Sequence, residues 1–218
     1  MIVHARDIFQ FGNQLPLTKG VKVSRLMDDL KQFDDKWAQY NDFKPEVSRQ
    51  GLCVINDSGV NGPGPAISSI HQWNRKHGTE LHEEDFTVTT PVYDACIDLK
   101  NLLGEKDHNG YSLLPHCFRT HFLRIPPGGY FPPHRDNLRI DQNTFRLIVP
   151  LVNCEPPWMR FMLGNESLNW NAGTMYAVNT TLGHQLFNTG TRDSIWLVIN
   201  AHVNEDTYGY VAGNLLIT

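Results

Sequence analysis

The chain has 218 residues, a formal net charge of −4 at pH 7 and 40% hydrophobic residues. The acidic balance argues against a nucleic-acid-binding protein, because such proteins are normally basic. The hydrophobic content argues against long-range disorder, and a chain of this length can bury a core without a disulfide or metal to stabilise it. We therefore expect one domain over residues 1–218.

The sequence shows no signal for export or membrane insertion. Residues 1–20 have no basic segment followed by an apolar run, as a signal peptide would have. No stretch approaches the roughly 18 apolar residues of a membrane span. Cys53, Cys96, Cys117 and Cys154 form no CxxC pair, so we interpret them as reduced core thiols. We predict a cytoplasmic protein with no membrane partner.

Residues 1–117 are predicted to be rich in helices and loops. Apolar residues at helical spacing indicate an amphipathic helix whose aromatic side chains belong to the core. These residues are Leu26, Leu30, Phe33, Trp37 and Tyr40. Ser24 is the expected N-cap, and Pro45 lies beyond the end of the helix.

A strand, a loop and a second helix are expected further along this part. Residues 51–56 have the composition of a strand, and the turn-forming residues of 57–65 indicate a loop. This loop and residues 67–77 are candidates for a lid or wall over a site, although an ordinary surface loop explains them equally well. Thr90 is the expected cap of a helix that begins at Pro91 and ends at Gly104.

The chain from about residue 118 onward has the pattern of short strands. Turn residues separate the apolar runs, and no helical pattern intervenes. This spacing predicts a sandwich or barrel rather than a sheet with helical crossovers. The predicted strands are 121–125, 144–153, 158–163, 173–178, 183–188 and 194–202.

One pair of potential metal ligands lies between these strands. His134 and Asp136 are two residues apart, so on an extended strand their side chains point the same way. Alone this pair is a weak signal, because chance explains it as well. His184 lies 48 residues after Asp136 in another predicted strand, which a small barrel can bring back beside the pair. Two histidines and one carboxylate form the facial triad of non-haem Fe(II) oxygenases.

A rival pair, His82 and Glu84, has the same spacing. It lies in the acidic run 80–85, which has no strand pattern. Such a run is more typical of a solvated face. We therefore favour His134 and Asp136 as the metal-binding pair.

Two arginines are candidates for binding an anionic ligand. Arg192 precedes the apolar strand 194–202, and Ser194 points to the same side. A cation beside an apolar strand needs a partner, and a carboxylate held by the guanidinium and the hydroxyl would supply one. The alternative is that Arg192 lies in a turn and faces water. Arg146, in predicted strand 144–153, faces either the barrel interior or an acidic residue outside.

Three segments together resemble a known family. FLRIPPGGYFPPHRD, FRLIVPL and GHQLFNTGTRDS resemble the aspartyl/asparaginyl β-hydroxylase-like branch of the Fe(II)/2-oxoglutarate dioxygenases. The resemblance covers about residues 118–202. It implies a mainly β fold with flanking helices around a double-stranded β-helix, which is a jelly-roll, cupin-like core. The expected parts are a flanking region 1–117, a catalytic core 118–203 and a C-terminal extension 204–218.

The resemblance also implies a co-substrate site. Arg192 matches the residue that binds the distal carboxylate of 2-oxoglutarate, with Ser194 assisting. Arg146 matches a strand arginine that helps to hold this co-substrate in some relatives. Many relatives have a histidine two residues after that arginine, where this chain has Ile148.

The resemblance further implies that His134, Asp136 and His184 bind Fe(II). With 2-oxoglutarate as co-substrate and O₂ as oxidant, the expected reaction is hydroxylation of an unactivated C–H bond in an amino acid or peptidyl side chain. Two alternatives stay open: a cupin-type metalloenzyme that does not use 2-oxoglutarate, and a non-catalytic jelly-roll binding module. A small-molecule or peptidyl substrate is expected, and the oligomeric state is left open.

Overall fold

A computed structural model describes residues 3–136 and 144–216. Most of the regular structure in these ranges is β-strand. The strands are β1 (Gln14–Gly20), β2 (Ala38–Gln39), β3 (Gln50–Asn56), β4 (Val88–Thr89), β5 (Cys117–Ile125), β6 (Tyr130–His134), β7 (Thr144–Val152), β8 (Met159–Leu163), β9 (Glu166–Ser167), β10 (Thr174–Val178), β11 (His184–Asn188) and β12 (Ser194–His202). The helices are α1 (Ala5–Ile8), α2 (Val23–Leu30), α3 (Ile70–His77), α4 (Pro91–Ala95), α5 (Ile97–Leu99) and α6 (Glu205–Gly213).

The strands form two antiparallel sheets. The larger sheet has the order β1-β10-β7-β12-β5-β3-β2, with β4 paired to β3, and the smaller has the order β6-β11-β8-β9. Strands that are distant in sequence lie side by side, as in a jelly roll built from Greek-key connections. The predicted fold class, a mainly β protein with flanking helices around a jelly-roll core, is therefore confirmed.

Strand β12 shows how the larger sheet separates two cores. Its alternate residues point to opposite faces. Ile195 and Leu197 pack with residues of the helices, such as Leu26 of α2. Trp196 packs with residues of the smaller sheet, such as Phe161 of β8. One core thus lies under the helices, and the other lies between the two sheets.

The N-terminal part contributes more to the sheet than the sequence predicted. β3 pairs with β5, and β1 pairs with β10, so residues 1–117 extend the larger sheet at both ends. The apolar pattern of β1 is interrupted by Pro16 and Gly20, which hides it from a search for alternating residues.

The first predicted helix is shorter than expected. α2 ends at Leu30, and a 3₁₀ segment follows in which Phe33 leaves the helical region. Trp37 is already extended, and Ala38 pairs with Gly51 of β3. Strand pairing therefore takes over the second half of the predicted stripe. Ser24 lies inside α2 rather than at its cap.

The second predicted helix begins as expected. The Thr90 hydroxyl accepts a hydrogen bond from the Val92 backbone, and Pro91 is the first helical residue. The helix is interrupted at Cys96, which has an extended backbone, and continues through α5 into a π turn that ends at Gly104. Residues 70–77, which belong to the segment 67–77 predicted as a lid, a wall or a surface loop, form α3.

The four cysteines are buried and free, as predicted for reduced core thiols. Burial raises the pKa of the Cys53 thiol to about 12, so this thiol stays protonated. Among the residues that the structure describes, no helix has the length and apolar character needed to cross a bilayer.

One buried carboxylate connects α2 to α5. Asp98 accepts two hydrogen bonds from the Arg25 guanidinium, at 2.6 and 2.7 Å, and a third from the Lys22 backbone. The Arg25 hydrogen bond outweighs burial and holds the pKa of Asp98 below its usual value of 3.8. Ionised Asp98 therefore stabilises the fold above that value, and the contribution is lost as the pH falls through the lower, folded-state pKa.

We predict that Asp98→Asn lowers the free energy of unfolding by about 1–2 kcal/mol at pH 7, the range for charged hydrogen bonds to a half-exposed arginine. Urea unfolding at pH 7 and pH 3 measures the effect, and the difference from wild type should shrink at pH 3. Asp28→Asn is the matched control, because Asp28 and Lys31 form an exposed pair. An equal loss in both variants would contradict the assignment.

Candidate metal centre

Pairing of β6 with β11 brings the two predicted histidines together. His134 is the last residue of β6, His184 is the first residue of β11, and the two are register partners in the smaller sheet. Asp136 follows β6, and its backbone N–H donates to the Thr180 carbonyl at 3.2 Å. The chain segment before β11 therefore holds the carboxylate beside the two imidazoles.

The three side chains converge on one point. One ligand atom from each of His134, Asp136 and His184 lies within 4.8 Å of the others. Nε2 of His134 lies 3.8 Å from Oδ1 of Asp136, and Nε2 of His184 lies 3.9 Å from the same oxygen. Side-chain exposure is 36% for His134 but 9% for His184, so the cluster opens to solvent on the His134 side.

Hydrogen bonds orient both imidazoles in the same way. Nδ1 of His134 lies 2.8 Å from the Pro132 carbonyl, and Nδ1 of His184 lies 3.0 Å from the Leu182 carbonyl. A carbonyl oxygen only accepts, so each Nδ1 must carry the proton. With Nδ1 as the donor, Nε2 is the nitrogen of each ring that faces the cluster and is available to a metal.

The charge states also suit a cation. Burial raises the pKa of Asp136. The Arg146 charge, His184 and the Thr180 hydroxyl lower it by more, so the pKa of Asp136 lies below its usual value. Nη2 of Arg146 lies 3.1 Å from Oδ2 of Asp136. Burial lowers the pKa of His184. At neutral pH the cluster therefore combines an ionised carboxylate with a neutral buried imidazole.

The cluster borders a cavity of about 100 Å³ inside the jelly roll. Most of its wall is apolar and includes Phe131, Phe161 and Trp196. Polar residues also line it, among them His121 and Arg146. Burial lowers the pKa of His121 to about 3, so this histidine is neutral inside the cavity.

The structure does not bring Arg192 or Ser194 to the cluster. Arg192 is exposed, and its carbonyl accepts from the Asn188 amide, which lies four residues along β11 from His184. That separation is roughly 13 Å at strand spacing. Ser194 is fully buried, and its hydroxyl accepts from the Trp196 indole at 2.8 Å. The structure does not support the predicted carboxylate clamp at Arg192 and Ser194, because the turn before β12 lies at the opposite end of β11 from His184.

The structure also locates Arg146, the rival pair His82 and Glu84, and the two lid candidates. Arg146 faces the barrel interior, which was one of its two predicted orientations. His82 and Glu84 are exposed, and the His82 backbone N–H donates to the Asp85 carboxylate, so this pair belongs to a solvated turn. Of the two lid candidates, residues 67–77 reach the site, because Ser68 lies in a cavity that also contains His134 and Asp136.

Sequence reasoning missed several residues that surround the cluster. Thr180 belongs to no sequence motif, although its backbone carbonyl and its hydroxyl both bind Asp136. His121 lay in a predicted strand but had no assigned role. The apolar spacing predicts Tyr40 in a helix, yet Tyr40 lines the cavity beside Phe131. Only the pairing of β2 and β3 with the larger sheet brings Tyr40 there.

The sequence and the structure were compared with those of known proteins. No curated protein matches the sequence. Among solved structures, the chain is similar to a prolyl-4-hydroxylase from Pseudomonas putida, with 12% identity, a TM-score of 0.47, and coverage of 91% of this chain and 96% of that chain. It is also similar to a cupin domain from Bordetella pertussis, with 18% identity, a TM-score of 0.30, and coverage of 39% and 80%.

The family comparison covers the jelly roll. The Aspartyl/Asparaginyl beta-hydroxylase family matches residues 96–202. This range contains all three residues of the cluster, His134, Asp136 and His184, and the strands that carry them. The resemblance to the aspartyl/asparaginyl β-hydroxylase family that the sequence motifs predicted is therefore confirmed over residues 96–202.

Proposed function

We propose that this protein is an Fe(II)- and 2-oxoglutarate-dependent hydroxylase that acts on a C–H bond of an amino acid or peptidyl side chain. The observation that carries the proposal is the convergence of His134, Asp136 and His184 beside a largely apolar cavity of a jelly roll. The match to a hydroxylase family over residues 96–202 supports it.

The donor set suits ferrous iron. Two imidazole nitrogens and one carboxylate on one side of a cation leave the other coordination positions open for ligands. Structural zinc sites usually contain thiolates and close all four positions, whereas the cluster contains no cysteine. His134, Asp136 and His184 would hold the iron in this arrangement. Bound iron supplies the redox chemistry that couples oxidation of 2-oxoglutarate by O₂ to hydroxylation of the substrate.

The surrounding residues position the ligands and exclude water. Arg146 holds Asp136 by an ion pair and keeps it ionised. The Pro132 and Leu182 carbonyls orient the imidazoles. Apolar side chains such as Phe161 and Trp196 line the cavity, so a reacting group against this wall would be partly shielded from bulk water.

A second candidate function is a cupin-type metalloenzyme that does not use 2-oxoglutarate. The observation that favours it is the position of Arg192 and Ser194 away from the cluster, because neither residue lines the cavity at the metal ligands. The third reading, a non-catalytic jelly-roll module, required the three ligands to lie apart. Their convergence speaks against it.

Metal affinity tests whether His134 and Asp136 are ligands. His134→Ala and Asp136→Ala should each weaken Fe(II) binding by at least about 100-fold, because each removes a ligand, and loss of a residue that only supports a ligand already costs about 10–100-fold. Anaerobic titration with Fe(II), or with Co(II) followed by its visible absorption, measures the affinity. His82→Ala is the matched control and should bind metal like wild type. Equal losses in all three variants would place the metal elsewhere.

Turnover of 2-oxoglutarate tests the proposed reaction. Wild-type protein with Fe(II), O₂ and 2-oxoglutarate should release succinate, and a screen of amino acids and peptides should identify substrates that stimulate the release. His184→Ala should retain the fold by circular dichroism and lose at least about 99% of the succinate, because a ligand is gone. Full metal binding without succinate from 2-oxoglutarate would favour the second candidate function.

Substitutions of Arg146 and Arg192 should have different effects on ligand binding. Arg146→Gln should weaken Fe(II) binding by about tenfold, because the ion pair that orients Asp136 is lost. Arg192→Gln should leave both Fe(II) binding and 2-oxoglutarate binding unchanged, because Arg192 faces solvent away from the cavity. Loss of 2-oxoglutarate binding in Arg192→Gln alone would restore the clamp predicted from the sequence.

A further inference from the structure

A second cavity lies beside the metal cluster and has a basic wall. Its volume is about 370 Å³, within the range of small-molecule sites. Lys44, Arg49 and Arg119 line it, and it reaches the cluster at His134 and Asp136. We call it the Arg49 chamber. Asp136 is the one carboxylate among its described lining residues, so the chamber carries an excess of positive charge.

Arg49 is a buried cation without a counter-ion among the described residues. It is 3% exposed, and its Nε has no hydrogen-bond partner. Its guanidinium contacts two aromatic rings, with Cζ 3.9 Å from the Phe131 centroid and 5.3 Å from the Tyr40 centroid. Burial lowers the pKa of Arg49. A desolvated guanidinium without an anion is unfavourable, so the site is poised to accept one.

The neighbouring arginines are already engaged. Arg119 donates to the Glu83 carboxylate at 2.6 Å and to the backbone carbonyls of Ala66 and Ser68. Arg146 pairs with Asp136. Among the described arginines around the cluster, Arg49 is therefore the buried one with capacity for an incoming anion.

Arg49 also lies close enough to the cluster to act on a ligand bound there. Phe131 neighbours both groups, because its ring contacts the guanidinium and its centroid lies 6.2 Å from that of His134. Arg49 lines the same chamber as His134 and Asp136, so one ligand in the chamber can contact both the guanidinium and the cluster. Arg49 precedes β3 and lies outside residues 96–202, the range that matches the family.

We propose that the Arg49 chamber binds a carboxylate and that Arg49 is its anchor, through the paired N–H groups of its planar guanidinium. The identity of the ligand rests on the proposed function, which offers two sources of a carboxylate. One is the distal carboxylate of 2-oxoglutarate, for which Arg49 would replace the clamp expected at Arg192. The other is the carboxylate of an amino acid substrate.

The first arm of the test compares two keto acids that differ only in the distal group. 2-Oxoglutarate and 2-oxopentanoate have the same chain length, but 2-oxopentanoate ends in a methyl group. Both are titrated anaerobically into Fe(II)-loaded protein and followed by the visible absorption of the chelate. If Arg49 binds the distal carboxylate, wild type prefers 2-oxoglutarate by at least about tenfold, and Arg49→Gln reduces the preference to nearly onefold.

The second arm measures a carboxylate from a separate molecule. Glutarate is titrated calorimetrically into Fe(II)-loaded protein saturated with 2-oxoglutarate. Glutarate binding that is present in wild type and lost in Arg49→Gln would assign the chamber to the substrate carboxylate. If Arg49→Gln matches wild type in both arms, the proposal is overturned.

Arg124→Gln is the matched control in both arms. Arg124 also stacks on an aromatic ring, with Cζ 4.0 Å from the Trp37 centroid, but it pairs with Asp34 and lines neither cavity beside the cluster. It should retain wild-type affinities. Arg49→Gln should retain the wild-type affinity for Fe(II), which checks folding. If it does not fold, Arg49→Lys keeps the charge and should lose part of the same preference.

Failure of the proposed function gives a different result. Wild-type protein would then show no absorption band with 2-oxoglutarate. The glutarate titration is in that case repeated on metal-loaded protein without 2-oxoglutarate. Binding that depends on Arg49 would still support the carboxylate site, and the same affinity in Arg49→Gln would overturn it.

Discussion

The antiparallel pairing of β6 with β11 is the constraint on which the candidate site depends. It makes His134 and His184 register partners, although 49 residues separate them in the sequence. A shift of one residue would send one imidazole to the opposite face of the sheet. The hydrophobic inner face of the smaller sheet, with Leu163, Phe161 and Leu186 in the core, holds this register.

Electrostatics then prepare the cluster for a cation. Arg146 compensates the charge of Asp136 in a place where burial alone would favour the protonated acid. Both histidines use Nδ1 to bind the carbonyl two residues earlier. This arrangement turns both Nε2 atoms inward and gives a metal a set of ligands that needs little reorganisation.

The arginines around the cluster differ in whether they have an anionic partner. Arg146 and Arg119 have anionic partners, whereas Arg49 is buried against aromatic rings. Polar groups in folded proteins are normally paired, and exceptions are concentrated at functional sites. The N-terminal part of the chain therefore contributes to the surroundings of the metal centre, because β2 and β3 bring Tyr40 and Arg49 beside the jelly roll.

The sequence by itself determined the elements that local chemistry specifies. A continuous apolar run bounded by turn residues marked β12 at its observed bounds, and Thr90 with Pro91 marked the start of α4, because apolar runs and helix caps depend on neighbouring residues. The spacing of His134 and Asp136 identified two of the converging groups for the same reason. Tertiary structure decided what depends on distant pairing. It ended α2 early, so that Ala38 could pair with β3, and it placed Arg192 at the far end of β11 from His184. It also brought Arg49 to the cluster, because a single arginine before a strand carries no local pattern that shows which cavity it will line.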